Sequence, residues 1–158
     1  MEQTTAERSW GNEESPARDL RRRRARDIAE QIVRRSDWLS REDRFILKAV
    51  YEDGKSVTDI ATLRGDDPRR LQRRVRKLVE RVLSQKFAFV AAHKSAWTPT
   101  RRRVAEACVL QGLSLRRATA SLKLTHHTVR RNYDAVNALY EAAMGPPMPN
   151  VRLWGPLS

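Results

Sequence analysis

The sequence, 158 residues long, is poor in the residues that build closed chemical sites. It has one cysteine, Cys108. That excludes an internal disulfide framework and any Cys-rich zinc module. Three histidines, His93, His126 and His127, do not replace the missing thiolates, and no metal site is expected. The six glycines never gather into a loop that would cradle phosphates. Ser, His and Asp do not occur in a context that marks nucleophilic catalysis. An enzyme is therefore not expected, and neither a cofactor nor a small-molecule substrate is implied. The longest strictly apolar run is the six residues Phe87 to Ala92, far short of the ~20 that cross a bilayer. No apolar stretch follows the first residues, so a secretory signal is not expected. The class that remains is a soluble cytoplasmic protein with no membrane partner.

Arginine is what the chain has in abundance. It carries 26 Arg and 6 Lys against 19 Asp and Glu, a net charge of +13. Such an excess on a small chain points to a polyanion, most often nucleic acid. A solvated basic surface is the plainer alternative. The charge is not one basic tail. Residues 1–15 are net −3, polar and short of large apolar groups, which reads as disorder. Residues 16–37, 38–84 and 98–144 are net +4, +4 and +5, and 85–97 add +2. The tail 145–158 is net +1 and holds four Pro and two Gly, so regular structure is not expected there. Its Val151, Leu153, Trp154 and Leu157 are candidates to dock on a domain surface.

A weak internal repeat appears at a shift of 58 residues. It aligns Gly54 with Gly112, Ser56 with Ser114, Arg44 with Arg102, Ala49 with Ala107 and Arg73 with Arg131. Apolar positions align as well, among them Ile46/Val104, Val57/Leu115, Leu71/Val129, Leu78/Val136 and Val82/Tyr140. Two copies of one small helical unit explain the match, one at 38–84 and one at 98–144, joined by a connector at 85–97.

Each copy reads as three helices. In the first, Phe45, Ile46, Ala49 and Val50 form a helical stripe over 41–52, capped by Ser40 and stopped at Asp53-Gly54. Ser56 caps a short helix to about Arg64, and Gly65-Asp66 makes a turn. Asp67 caps a third helix with Pro68 at its first position, where a missing N–H costs nothing. Leu71, Val75, Leu78, Val79 and Val82 face inward. In the second copy Thr98 caps a helix bearing Val104, Ala107, Cys108 and Leu110, ended by Gly112. Ser114 caps a short helix to about Leu122. Thr125 caps the last, with Val129, Tyr133, Val136 and Tyr140 inside. No β-sheet is expected, and Phe87–Val90 reads either as a weak strand or as a short helix. A further basic helix covers 17–36 with a narrow stripe of Leu20, Ile28, Ile32 and Val33. Its run Arg21–Arg24 either grips phosphates or is a solvated face. The predicted class is all-α: an N-terminal helix, then two three-helix units, with irregular ends.

A short turn before the third helix is the helix-turn-helix plan, in which the third helix fits the DNA major groove. The segments SVTDIATLRGDDPRRL (56–71) and SLRRATASLKLTHHTV (114–129) resemble the C-terminal DNA-binding region of bacterial sigma factors. Arg64 stands where that family prefers an apolar residue, with Leu63 as its substitute, and Lys123 replaces the usual turn glycine. No segment resembles the polymerase-binding, promoter-melting region of those factors, and 16–37 contain no aromatic residue. The resemblance implies a tandem helix-turn-helix protein that binds duplex DNA in bacterial transcription regulation, associated with the nucleoid. It places Arg69, Arg70, Arg73, Arg74 and Lys77 on the outer face of the first third helix, where Arg can grip guanine or phosphate. In the second copy the candidates are His126, His127, Arg130 and Arg131, with Arg116 and Arg117 on the preceding helix. The histidine pair could read bases or phosphates, sense pH near neutrality, or have no role. Asn132 and Asn137 reach DNA only if the helix lies unusually deep. Trp38 and Trp97 read as packing residues, and Cys108 as a small core residue. Docking on RNA polymerase or another regulator, and RNA binding through the Arg-rich helix, are the alternatives.

Overall fold

The structure, a computed structural model, describes residues 16–145. The expectations for residues 1–15 and for the docking tail lie outside the described residues. Within them all regular structure is helical and no strand occurs. The order is α1 Pro16–Ser36, α2 Arg41–Tyr51, α3 Val57–Arg64, α4 Pro68–Leu83, α5 Gln85–His93, α6 Pro99–Ala105, α7 Leu115–Leu122 and α8 His126–Met144. A 3-10 turn, Lys94–Ala96, precedes α6, and a π-helical turn, Glu106–Leu110, follows it. The chain is all-α, and Phe87–Val90 belongs to a helix.

The 58-residue shift is written into the backbone. Helices α3 and α7 start on Ser56 and Ser114, whose hydroxyls accept from the N–H groups of Asp59 (3.0 Å) and Arg117 (3.3 Å). Helices α4 and α8 start on Asp67 and Thr125, which accept from Arg70 N–H (2.8 Å) and Thr128 N–H (3.2 Å). Ser40 caps α2 through Asp43 N–H at 3.3 Å. Thr98 holds the matching position before α6, but its side chain makes no cap bond. The stops match too. Lys55 N–H donates to Ala49 C=O and Leu113 N–H to Ala107 C=O, both at 2.9 Å. Asp66 N–H donates to Ala61 C=O and Leu124 N–H to Thr119 C=O. Gly65 ends α3 at φ +71. Its counterpart Lys123 ends α7 at φ +54, the one non-glycine residue with positive φ among those described.

The core follows the predicted stripes with instructive departures. Leu71, Val75, Leu78 and Val82 of α4 are buried, as are Val104, Ala107, Leu110, Val129 and Val136. In α2, however, Leu47 is buried while Phe45 is 57% exposed. Helix α2 is packed by α1 as well as by α3 and α4. Its buried arc is therefore wider than one stripe and shifted toward Leu47, which leaves Phe45 on the opposite side. Leu63 does not replace the apolar residue expected at Arg64, for it is 80% exposed. Position 64 lies in helical phase with buried Ile60 and Ala61, whereas 63 points away. Arg64 remains exposed at that position, and its guanidinium pairs with Glu42 and Asp66.

One core runs through both halves. Phe87, Phe89 and Val90 of α5 lie in the same buried cluster as Ile32 of α1, Ile46 and Leu47 of α2, Leu78 and Val82 of α4, Leu110, and Val136 of α8. A smaller cluster, Val104, Ala107, Ala118 and Val129, fills the second half, with half-buried Cys108 against it. Burial pushes the Cys108 thiol pKa up, which suits packing rather than nucleophilic work. The Arg35 guanidinium donates to Val82 C=O at 2.8 Å and so ties α1 to α4 within the first half. Side-chain contacts of the connector reinforce the join between the halves. Lys94 pairs with Glu106 and lies 4.1 Å over the Trp38 ring. Phe89 of α5 packs edge-on against Tyr140 of α8 at 5.5 Å between ring centres. In α1 only the C-terminal part of the predicted stripe is used. Ile32 is buried and Val33 half-buried, but Ile28 is exposed and Leu20 is 66% exposed.

Candidate nucleic-acid interface

Helix α4 is amphipathic because its apolar residues recur every three or four positions, and the positions between them are basic. Asp67 and Pro68 fix where it starts, so its first two turns present Arg69, Arg70 and Arg73 to solvent. Lys77 is exposed one turn further on. Arg69 and Arg73 share an outer surface with Gln72 and Arg76.

Arg74 does something different. Its guanidinium donates to Asp43 at 2.8 and 3.1 Å and to Glu42 at 3.0 Å. Arg64 also reaches Glu42, and holds Asp66 at 2.8 Å. These guanidinium donors hold the Glu42 carboxyl down at about 2, and Glu42 in turn raises the pKa of Arg74. The two acids in the first turn of α2 thus clamp α3 and α4 to α2. Arg74 is a fastening between helices, with its donors already engaged.

Together with Arg74, four other bases of α4 line an open cleft of about 1010 Å³. Arg70, Arg73, Lys77 and Arg81 form one wall. The opposite side comes from the second half, where the α6–α7 turn supplies Gln111-Gly112 and α7 supplies Arg117. Arg81 is three-quarters buried. Its Nη2 lies 3.8 Å from an Asp43 oxygen, yet neither Nη2 nor Nε has a hydrogen-bond partner. Burial lowers its pKa, and the nearby Asp43 carboxylate opposes that. Gly112, at φ +70, lies under this guanidinium, and a Cβ there would sit 1.8 Å from Arg81 Nη1.

In the second half His126, His127, Arg130 and Arg131 are all exposed on the first two turns of α8. Arg130 lies 4.0 Å from Asp134, one turn along, in an exposed pair. Arg116 is exposed on α7. None of these five lines the cleft. Asn132 and Asn137 are turned to local partners: Asn132 donates to Thr128 C=O at 2.9 Å, and Asn137 accepts from Lys86. Residues 17–28 of α1, with six of its arginines, are exposed throughout.

The structure therefore distributes the sequence-derived residues over three places: the α4 outer face with the cleft that Arg117 also lines, the exposed surface of α7 and the start of α8 with Arg116, His126, His127, Arg130 and Arg131, and the clamp that takes Arg74. The reading from sequence missed Arg81, Arg64 and the clamping role of Glu42 and Asp43. For Arg81 a signal existed, since bases at 70, 73, 74, 77 and 81 recur at helical spacing. Glu42 and Asp43 are visible in sequence only as acids in a first turn, and their partners lie more than twenty residues away. Among the described residues no group of three or more His, Cys, Asp or Glu is placed to hold a metal ion. None of the described helices is long and apolar enough to cross a membrane. No protein-family model matches the chain, and no curated protein and no solved structure is significantly similar to it.

Proposed function

We propose that the chain binds double-stranded DNA, with α4 and α8 as the recognition helices of two helix-turn-helix units. One observation carries the reading. At the same repeat position both halves make a left-handed turn, at Gly65 and at Lys123. Each turn is followed two residues later by a capped helix start whose first turns expose bases. That sequence of turn, cap and basic helix start is what delivers side chains to base edges in the major groove. Arg69, Arg70 and Arg73 from α4, and His126, His127, Arg130 and Arg131 from α8, are the contacts assigned, with Arg116 toward phosphates. Arg74 is left out because Glu42 and Asp43 already take its donors, and Lys77 and Arg117 because they line the cleft and not the outer surface of α4. The protein does no chemistry of its own in this role. With the sigma-type resemblance of 56–71 and 114–129, the role assigned is regulation of bacterial transcription at the nucleoid.

Fluorescence anisotropy with labelled duplexes selected from a random pool tests it. Affinity should fall steeply with salt, at roughly 0.9 in log–log slope per phosphate engaged. Arg73→Ala and Arg130→Ala should each cost ~1–3 kcal/mol and relax sequence preference locally. No binding at low salt, or selection that enriches no sequence, would overturn the reading.

A further inference from the structure

We infer that the cleft between α4 and the α6–α7 turn is a binding site for a short oligophosphate. Where that ligand acts as a regulator, the inference rests on the DNA-binding reading above. The cleft gathers six cationic side chains, Arg70, Arg73, Arg74, Lys77, Arg81 and Arg117, from both halves of the chain. It holds two carboxylates, Glu42 and Asp43, and both are engaged by Arg74. The surplus is strongly positive in a concave space, where field lines concentrate and draw in anions. Three features separate this site from a solvated basic surface. Its volume of about 1010 Å³ is near the top of the range of ~300–1000 Å³ that small ligands occupy. It is bounded mainly by charged and polar groups, so the ligand it suits is a compact polyanion with little apolar body. Arg81, three-quarters buried, lacks hydrogen-bond partners at Nε and Nη2. A buried cationic donor left without partners is costly, and an anion bridging Lys77 and Arg117 would offer Arg81 an acceptor for a small turn of its side chain.

Arg73 also belongs to the outer surface with Arg69 and Arg76. Arg70 and Arg73 therefore serve either the cleft or a duplex. A phosphate chain seated in the cleft would draw both inward and weaken DNA binding. The cleft ligand is thus a competitor of DNA, while Arg117 and Lys77 belong to the cleft.

The test is isothermal titration of the full chain with inorganic tripolyphosphate, at ionic strength held constant with NaCl. One site per chain is expected. Arg117→Gln and Lys77→Gln, both at exposed positions, should each weaken it at least tenfold, with circular dichroism and Tm reporting an intact fold. Arg69→Gln, outside the cleft, should leave it within twofold. Tripolyphosphate should displace a bound duplex at concentrations set by its own Kd, and Arg117→Gln should raise the concentration needed at least tenfold while leaving duplex affinity within twofold. Absence of binding, several equivalent sites, or equal weakening by all three variants would overturn the inference. So would a loss of duplex affinity in Arg117→Gln, since the cleft would then hold phosphates of the DNA strand. Failure of the cleft with intact duplex binding leaves the DNA reading standing. Tripolyphosphate binding without any duplex binding removes the DNA reading and leaves the cleft.

Discussion

Lys123→Gly should stabilise the protein, and the structure gives the size of the effect. Lys123 sits at φ +54, ψ +41. In this left-handed region the Cβ of an L-residue crowds the next carbonyl, at a cost of about 1–2 kcal/mol. Glycine avoids that cost but loses more freedom on folding, which takes back about 0.4–1 kcal/mol. The net gain is about 0.5–1 kcal/mol. For a chain of this size that raises Tm by roughly 1–4 °C. Lys123 is exposed and makes no ion pair among the described residues, so little contact energy is lost. Two controls separate backbone from charge. Lys123→Gln removes the charge and keeps the Cβ, and should leave Tm unchanged. Gly65→Lys makes the reverse change at the matching position of the first half, where a Cβ meets nothing within 4 Å. It should destabilise by about the amount the first change gains. Urea denaturation with constant m-value is the assay. If Lys123→Gly is neutral or harmful, or if Lys123→Gln stabilises equally, the strain assigned to this turn is absent.

Other consequences can be checked in the same way. Phe87 is fully buried in the core that joins the halves, so Phe87→Ala should cost about 3–5 kcal/mol in urea denaturation. Gly54 and Gly112 share a positive φ, but only Gly112 has Arg81 in the space of a Cβ. Gly112→Ala should therefore destabilise more than Gly54→Ala, and the excess should vanish in an Arg81→Ala background, measured as a double-mutant cycle. The Glu42 carboxyl lies at about 2 instead of 4.5. A lowered folded-state pKa means the protection is whole above pH 4.5 and drains away as pH falls from about 4.5 to about 2. Glu42 is half exposed, so the amount is only about 1 kcal/mol or less. Glu42→Gln should flatten the acid limb of the stability profile by that much.

Local chemistry made much of the fold legible in the sequence. Ser40, Ser56, Asp67, Ser114 and Thr125 cap helices because a short side-chain oxygen is what a helix start lacks, and such residues announce themselves without tertiary information. The 58-residue shift holds for the turns, the stops and two of the three cap positions; only Thr98 fails to match its counterpart Ser40. Side chains whose position is decided by a distant partner were harder. Leu47 is buried and Phe45 exposed because α1 covers part of α2, and no pattern inside α2 reveals that. Arg74 shares a face with its basic neighbours in any helical projection. Only the approach of Glu42 and Asp43 removes it from the outer surface. The cleft is the extreme case, since its walls come from sequence segments some forty residues apart.

The shared core that α5 completes has a mechanical meaning. Where two duplicated units hang on a flexible tether, each searches for its own target, and the tether absorbs variation in the distance between targets. Here the segment between the units is itself helical and anchors Phe87, Phe89 and Val90 in the shared core, so it is a packed strut and not a free tether. The molecule is a caliper with fixed jaws. On the DNA-binding reading, the spacing and helical phase of its two half-sites are dictated by protein packing. Moving them apart by half a turn of duplex would leave one jaw facing the wrong side of the double helix.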